Sequence, residues 1–382
     1  MKTAAEIRAR ATDEEGRRAP AKGGLAMSSR LQRRLAVPAT ALMGLIFAAA
    51  VFAQASWTKA APFPEPAEEL YGIAANGKMY VMGGYEAGKP MGIVEEYDPA
   101  TDKWTKKKPM ARPAHHEALV EYRGKIYMMG GFVAPTSGQP GGWQPIENAW
   151  EYDPAADSWK ALAPLPTKRG SAFATEVGGK IYVIGGASTH PGAKELALYA
   201  NGPGRSVGAN EAYDPATNKW EPRSPMPTAR NHAFGGLVGG KIYVIGGRLG
   251  SSFSAASSNS DVVEEYDPAV DSWGTVRAKM PTPRSGGGWG TYGGRIYVAG
   301  GEIATPQLVG AFRAFEAYDP GTNQWTAMPS MPIPRHGVAG AVIGNRFHLV
   351  SGMVTGAAVG AGSDPGVHLH TSSHDVIELP GK

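Results

Sequence analysis

The chain has no cysteine among its 382 residues. Disulfides, thiolate metal sites and a cysteine nucleophile are therefore excluded. Export remains compatible with that absence, because a chain of this length buries a core large enough to fold without covalent staples. Long amphipathic helices are also missing beyond residue 55. A basic stripe is absent too. Residues 1–55 hold nine Lys/Arg against four Asp/Glu, so the remainder carries −1 of the formal +4. A nucleic-acid partner is not expected from such a balance. What is abundant is glycine (52) and proline (31), the composition of many short strands joined by turns.

The leader has three parts. Arg30, Arg33 and Arg34 precede a mainly apolar run from Leu35 to Ala53, and Ala53-Gln54-Ala55 then reads as an A-x-A cleavage site before Ser56. This order predicts a secretory signal peptide cut after Ala55, with Met27 as the true start and a periplasmic or secreted mature chain. An uncleaved membrane anchor is the alternative, and only then is membrane contact expected.

From residue 57 the chain repeats itself. One element reads GKMYVMGG (77–84), GKIYMMGG (124–131), GKIYVIGG (179–186), GKIYVIGG (240–247), GRIYVAGG (294–301) and NRFHLVSG (345–352). Their last glycines lie 47, 55, 61, 54 and 51 residues apart. Each of the first five is followed by a Tyr-Asp-Pro turn and then Trp104, Trp159, Trp220, Trp273 or Trp325. A run apolar at successive positions must be covered on both faces, and blades stacked around an axis provide that cover. The Gly/Ala-rich stretches before each Gly-Lys suit the innermost strand, where blades taper.

The double glycine, tyrosine and tryptophan at a period near 50 closely resemble the kelch repeat family, over residues 56–382. The resemblance implies an all-β fold, a six-bladed kelch-type propeller. Five blades are complete, with strands a (small residues), b (GKIYVIGG), c (Tyr-Asp-Pro) and d (Trp). The sixth lacks its Trp strand, while Ser56-Trp57-Thr58 stands alone at the other end. The N-terminal strand is therefore predicted to complete the last blade, leaving no free sheet edge.

Strand a should begin on the face where strand b ends, together with the b–c loops. Ten residues before each Gly-Lys stand Ala67, Ala114, Arg169, Arg230, Arg284 and Arg335; one later Glu68, His115, Gly170, Asn231, Ser285 and His336; then Glu69, His116, Ser171, His232, Gly286 and Gly337. Departures from symmetry mark a candidate polar pocket at the channel mouth, lined by Arg169, Arg230, Arg284, Arg335, Glu68, Glu69, His115, His116, His232 and His336. Arginines there would take a carboxylate, sulfate or phosphate bidentately, and the Glu/His group would supply acid–base or metal-ligand character. The structural alternative is that each arginine hydrogen-bonds loop carbonyls. His368, His370 and His374 form a weaker metal alternative, since their Gly/Ser/Thr-rich loop fixes no geometry. No cofactor is required by these residues.

Two functions compete. The first is an exported binding or interaction module, its partner a protein or an acidic carbohydrate. The second follows from a similarity of architecture, and of architecture alone, to the N-acetylneuraminate epimerase family, which implies a sialic-acid mutarotase-like enzyme but transfers no catalytic residue. For an anomeric chemistry here an arginine would hold the substrate carboxylate and Glu68 or Glu69 would carry the proton. Copper radical chemistry of the galactose-oxidase kind is excluded, because it requires a Tyr–Cys cross-link. Animal kelch adaptors for ubiquitin transfer carry a further domain for which this chain has no room.

Overall fold

The computed structural model describes residues 55–381 apart from 137–140, 193, 195, 201–204, 306 and 357–368. The signal peptide, the Met27 start and the apolar run lie outside the described residues. Six four-stranded antiparallel sheets are arranged as a propeller. Blade 1 comprises strands a to d at Glu68–Ala75, Lys78–Glu86, Lys89–Asp98 and Lys103–Lys106. Blade 2 has Ala118–Tyr122, Lys125–Met129, Ala149–Asp153 and Ser158–Ala161. Blade 3 has Phe173–Val177, Lys180–Ile184, Asn210–Asp214 and Lys219–Arg223. Blade 4 has Phe234–Val238, Lys241–Ile245, Val263–Asp267 and Ser272–Trp273. Blade 5 has Gly288–Tyr292, Arg295–Ala299, Phe315–Asp319 and Gln324–Ala327. Blade 6 has Ala339–Ile343, Arg346–Val350 and His374–Glu378, and Thr58–Lys59 supplies its fourth strand by pairing Thr58 with Val376 and Lys59 with Asp375. The ring closes as predicted. Among the described residues no helix is long and apolar enough to cross a membrane.

The repeated motif is the cement between blades. Each repeat Trp donates its Nε1 proton to a carbonyl of the preceding blade, for example Trp104 to Ala61 and Trp220 to Ala163, both at 2.9 Å. The residue closing each c–d turn, Asp102, Asp157, Asn218, Asp271 or Asn323, adopts a left-handed backbone. Its side-chain oxygen accepts the tyrosine hydroxyl of its own blade and a backbone N–H from the previous one, as Asp157 does from Tyr152 and Lys108. The double glycine joins blades on the other face. Gly131 N–H donates to the Arg169 carbonyl at 2.9 Å, and a Cβ on Gly130 would lie 2.3 Å from that same oxygen. In strand a, a Cβ on Gly340 would lie 2.8 Å from the Gly288 Cα, so the taper leaves no room there for a side chain.

Candidate functional site

The four arginines do not reach the channel mouth. Arg169, Arg230, Arg284 and Arg335 are fully buried beneath their own blades. They pair with Glu211, Glu264, Glu316 and Asp375, all at the same position of strand c. Arg169 also donates to the carbonyls of Thr167 and Val183, and Arg284 to those of Thr282, Val298 and Gly300. This corrects the expectation of an anion clamp, for each guanidinium is buried inside its own blade and paired there with an acid. The two blades without arginine show the same logic. Blade 2 replaces the acid as well, with Trp150 packed near Ala114. Blade 1 keeps Glu95, and burial together with the neighbouring Glu65 carboxylate, to which protonated Glu95 donates, pushes its carboxyl up to about 7.

Two residues further on, the side chains meet at the axis. Glu69, His116, Ser171 and His232 have φ of 55, 60, 56 and 51°, and Gly286 and Gly337 have 67 and 58°. This left-handed backbone costs a non-glycine residue on the order of 1–2 kcal/mol. It also places four of these amides on the preceding blade: Ser171 N–H donates to His116 O, His232 to Ser171, Gly286 to His232 and Gly337 to Gly286, at 2.7–3.3 Å. Inside this backbone belt stand the glutamates and histidines singled out from the sequence. They are buried beneath the b–c loops rather than open on a rim, which corrects the second half of the mouth-pocket expectation.

The cluster divides into two halves. In one, His336 donates through Nδ1 to the Thr355 carbonyl at 2.6 Å, and its Nε2 lies 3.3 Å from Glu68 and 3.7 Å from Glu302. Burial opposes its charge, yet Glu302, Glu68 and Glu69 overrule burial and hold the imidazolium up to about 10. Arg248 completes this half, bonded to Glu302, to the Ser252 carbonyl and to Ser285 Oγ. In the other half, His116 Nε2 lies 2.9 Å from Glu69 Oε2. Burial would raise the Glu69 carboxyl, but His116, His336 and Arg248 hold it down at about 2. Burial, with Arg248 and His116 nearby, drives His232 well below its ordinary value.

Aromatic residues roof the cluster. Trp143 packs 4.7 Å from His116 and stacks at 4.2 Å on Phe253, while Tyr85 stacks at 4.5 Å on His115. Reciprocal 2.8 Å hydrogen bonds between Trp143 and Leu198 tie the blade 2 and blade 3 loops together. On the other side, a channel of about 350 Å³ is lined by all six a strands, with Tyr71, Glu117 and Trp289 among its walls. Glu117 has no hydrogen-bond partner beyond its own amide, and burial pushes its carboxyl up to about 8.

Arg248, Glu302 and Glu117 escaped the sequence reading, although repeat asymmetry marks all three. After the double glycine stand Tyr85, Phe132, Ala187, Arg248, Glu302 and Met353, so only two blades carry charge there. At the position of Glu117 the other blades have Leu70, Ala172, Ala233, Gly287 and Val338. Only part of the weaker metal alternative falls within the described residues. His368 lies outside the described residues, and His370 bridges to Met353 in the loop. His374 begins strand c of blade 6 with its ring against Tyr97 and Trp104. Neither belongs to a converging ligand group among the described residues.

Known proteins agree with this architecture. Models of the kelch motif match residues 73–111, 118–166, 229–276 and 283–332, and a second kelch motif model matches 168–227. The chain is 30% identical over 220 residues to Kelch-like protein terF of Aspergillus terreus, covering 57% of this chain and 46% of that protein. It is 29% identical over 185 residues to Kelch repeat and BTB domain-containing protein 12 of Homo sapiens, covering 47% and 29%. The chain thus spans less than half the length of these curated relatives. The solved structure of YjhT superimposes with a TM-score of 0.64 at 17% identity, over 82% of this chain and 95% of that one. With kelch motifs over more than half of its length and the six-bladed fold they build, the chain belongs to the kelch repeat family.

Proposed function

We propose that the chain is an exported kelch-propeller module that binds a protein partner through the face carrying the b–c loops. The observation that carries this reading is the placement of apolar surface. Of the six exposed large apolar side chains among the described residues, Leu196, Leu249, Leu308 and Val309 come from the b–c loops of three consecutive blades, 3 to 5, while Val270 and Val276 lie in the c–d turn and after strand d of blade 4. Large side chains left in water on adjacent loops of a rigid scaffold favour a protein surface. An acidic carbohydrate is less well supported, because the four arginines that would hold its carboxylate are committed to Glu211, Glu264, Glu316 and Asp375. The mutarotase-like reading needs the same free arginine and weakens with it.

The test is affinity capture from the producing cells with residues 56–382 and with a Leu196→Ser/Leu308→Ser/Val309→Ser variant of equal thermal stability. A partner held by the parent chain, lost at least tenfold by the variant and confirmed by direct titration supports the reading. A partner retained equally by both proteins refutes this face.

A further inference from the structure

We propose that Glu69, His116 and His232 bind a divalent first-row transition-metal ion on the propeller axis. One ligand atom from each of the three lies within 4.8 Å of the others, and all three side chains are buried. The 2.9 Å between Glu69 Oε2 and His116 Nε2 is the spacing of adjacent ligands when metal bonds are about 2.1 Å long. Two imidazoles and one carboxylate are a donor set that such ions favour, and three protein ligands leave coordination positions open.

Each imidazole is held from behind by the residue before it. Asn231 Nδ2 donates to the Ser251 carbonyl, which fixes the amide orientation, and Asn231 Oδ1 then accepts from His232 Nδ1 at 2.5 Å. The proton of His232 is therefore on Nδ1, and its Nε2 presents a lone pair. One blade pair away, His116 Nδ1 lies 2.6 Å from His115 Nδ1. His116 Nε2 points at Glu69 Oε2, and an ion between them would replace the proton that otherwise links the two. Support of the non-ligating nitrogen is what orients histidine ligands in metal sites. His336 is excluded from the ligand set because both of its nitrogens face acceptors.

Three further observations agree. The ligands occupy left-handed positions that glycine fills in blades 5 and 6, so their side chains are kept against a backbone cost. A cavity of about 10 Å³ borders Glu69, Ser171 and His232, room for about one water as a further ligand. Two further carboxylates, Glu68 and Glu302, border the site on the side of His336, 3.3 and 3.7 Å from its Nε2.

The roof of Trp143 and Phe253 calls for loading during folding. Untagged chain should be produced in Co²⁺- or Zn²⁺-supplemented medium, passed over a chelating resin and analysed for metal. About one ion per chain is expected, falling at least tenfold in Glu69→Gln, His116→Gln and His232→Gln, and unchanged in His190→Gln and His370→Gln. Where a variant folds poorly, X-ray absorption of the metal in the parent protein decides instead, with two imidazole nitrogens and carboxylate oxygen expected. No retained ion, retention equal in the axial variants, or a ligand shell without two imidazoles would overturn the proposal.

Discussion

At the scale of single residues, the buried arginines are the clearest case of a side chain whose role depends on where its backbone points it. Arg284 and Glu316 are each almost wholly removed from water and bonded to one another. Removing one partner strands a buried charge, so Arg284→Ala should lower unfolding free energy by about 3–5 kcal/mol. Replacing both partners, as in Arg284→Met/Glu316→Leu, should recover most of that loss in chemical denaturation. His348 and His374 make a second prediction. They lie 2.9 Å apart in the closing blade, and burial, reinforced for His348 by its neighbour, pushes them down to about 3 and about 4. Both are neutral in the fold and take up protons on unfolding below pH 6.5. Their contribution is thus fully present above pH 6.5 and is lost as pH falls towards 4, by up to about 1.4 kcal/mol per unit for each histidine. Thermal midpoints measured from pH 7 to 4.5 should fall less steeply in His348→Phe than in the parent protein.

At the scale of elements, the seam between the chain ends carries the ring. The strand Thr58–Lys59 is only two residues long, but Trp57 donates to the Pro329 carbonyl, Lys59 pairs with Asp375, and Phe63 is buried against Trp104. A chain beginning after Pro62 should therefore melt clearly below one beginning at Ser56. Equal melting temperatures would refute the seam as a stabilising element. The position of the first strand also bears on processing: cleavage after Ala55 leaves Trp57 in place, and N-terminal sequencing of the mature protein should read Ser-Trp-Thr.

For the whole molecule, blade-to-blade bonds run at three radii. The left-handed belt lies at the axis, the double-glycine contacts beside it, and the Trp and Asp/Asn contacts at the outer strands. Most neighbouring blades are joined at all three radii, and every pair is joined by the outer Trp contact. Residues 56–382 should therefore unfold in one transition, with tryptophan fluorescence and far-UV circular dichroism coinciding in urea. Separate midpoints for the two signals would show that the blades are energetically independent, as in an open repeat array.

Blade number, strand order and closure were legible in the sequence because they follow from local chemistry repeated six times. A run such as Ile242-Tyr243-Val244-Ile245 needs cover on both faces, a Tyr-Asp-Pro turn reverses the chain, and an orphan Trp57 must find a blade that lacks one. The positions lining the axis were legible too, as breaks in symmetry at 69, 116, 171 and 232. What each of them faces was not, since that depends on residues in other blades and on the direction a side chain takes from its backbone. Arg169 and Ser171 are two residues apart, yet one runs outward under its sheet to Glu211 and the other turns to the axis through a left-handed φ. Likewise His116 meets Glu69 and His232, 47 and 116 positions away, only because the ring brings three blades to one point. Periodicity is a property of the chain, and convergence is a property of its closure.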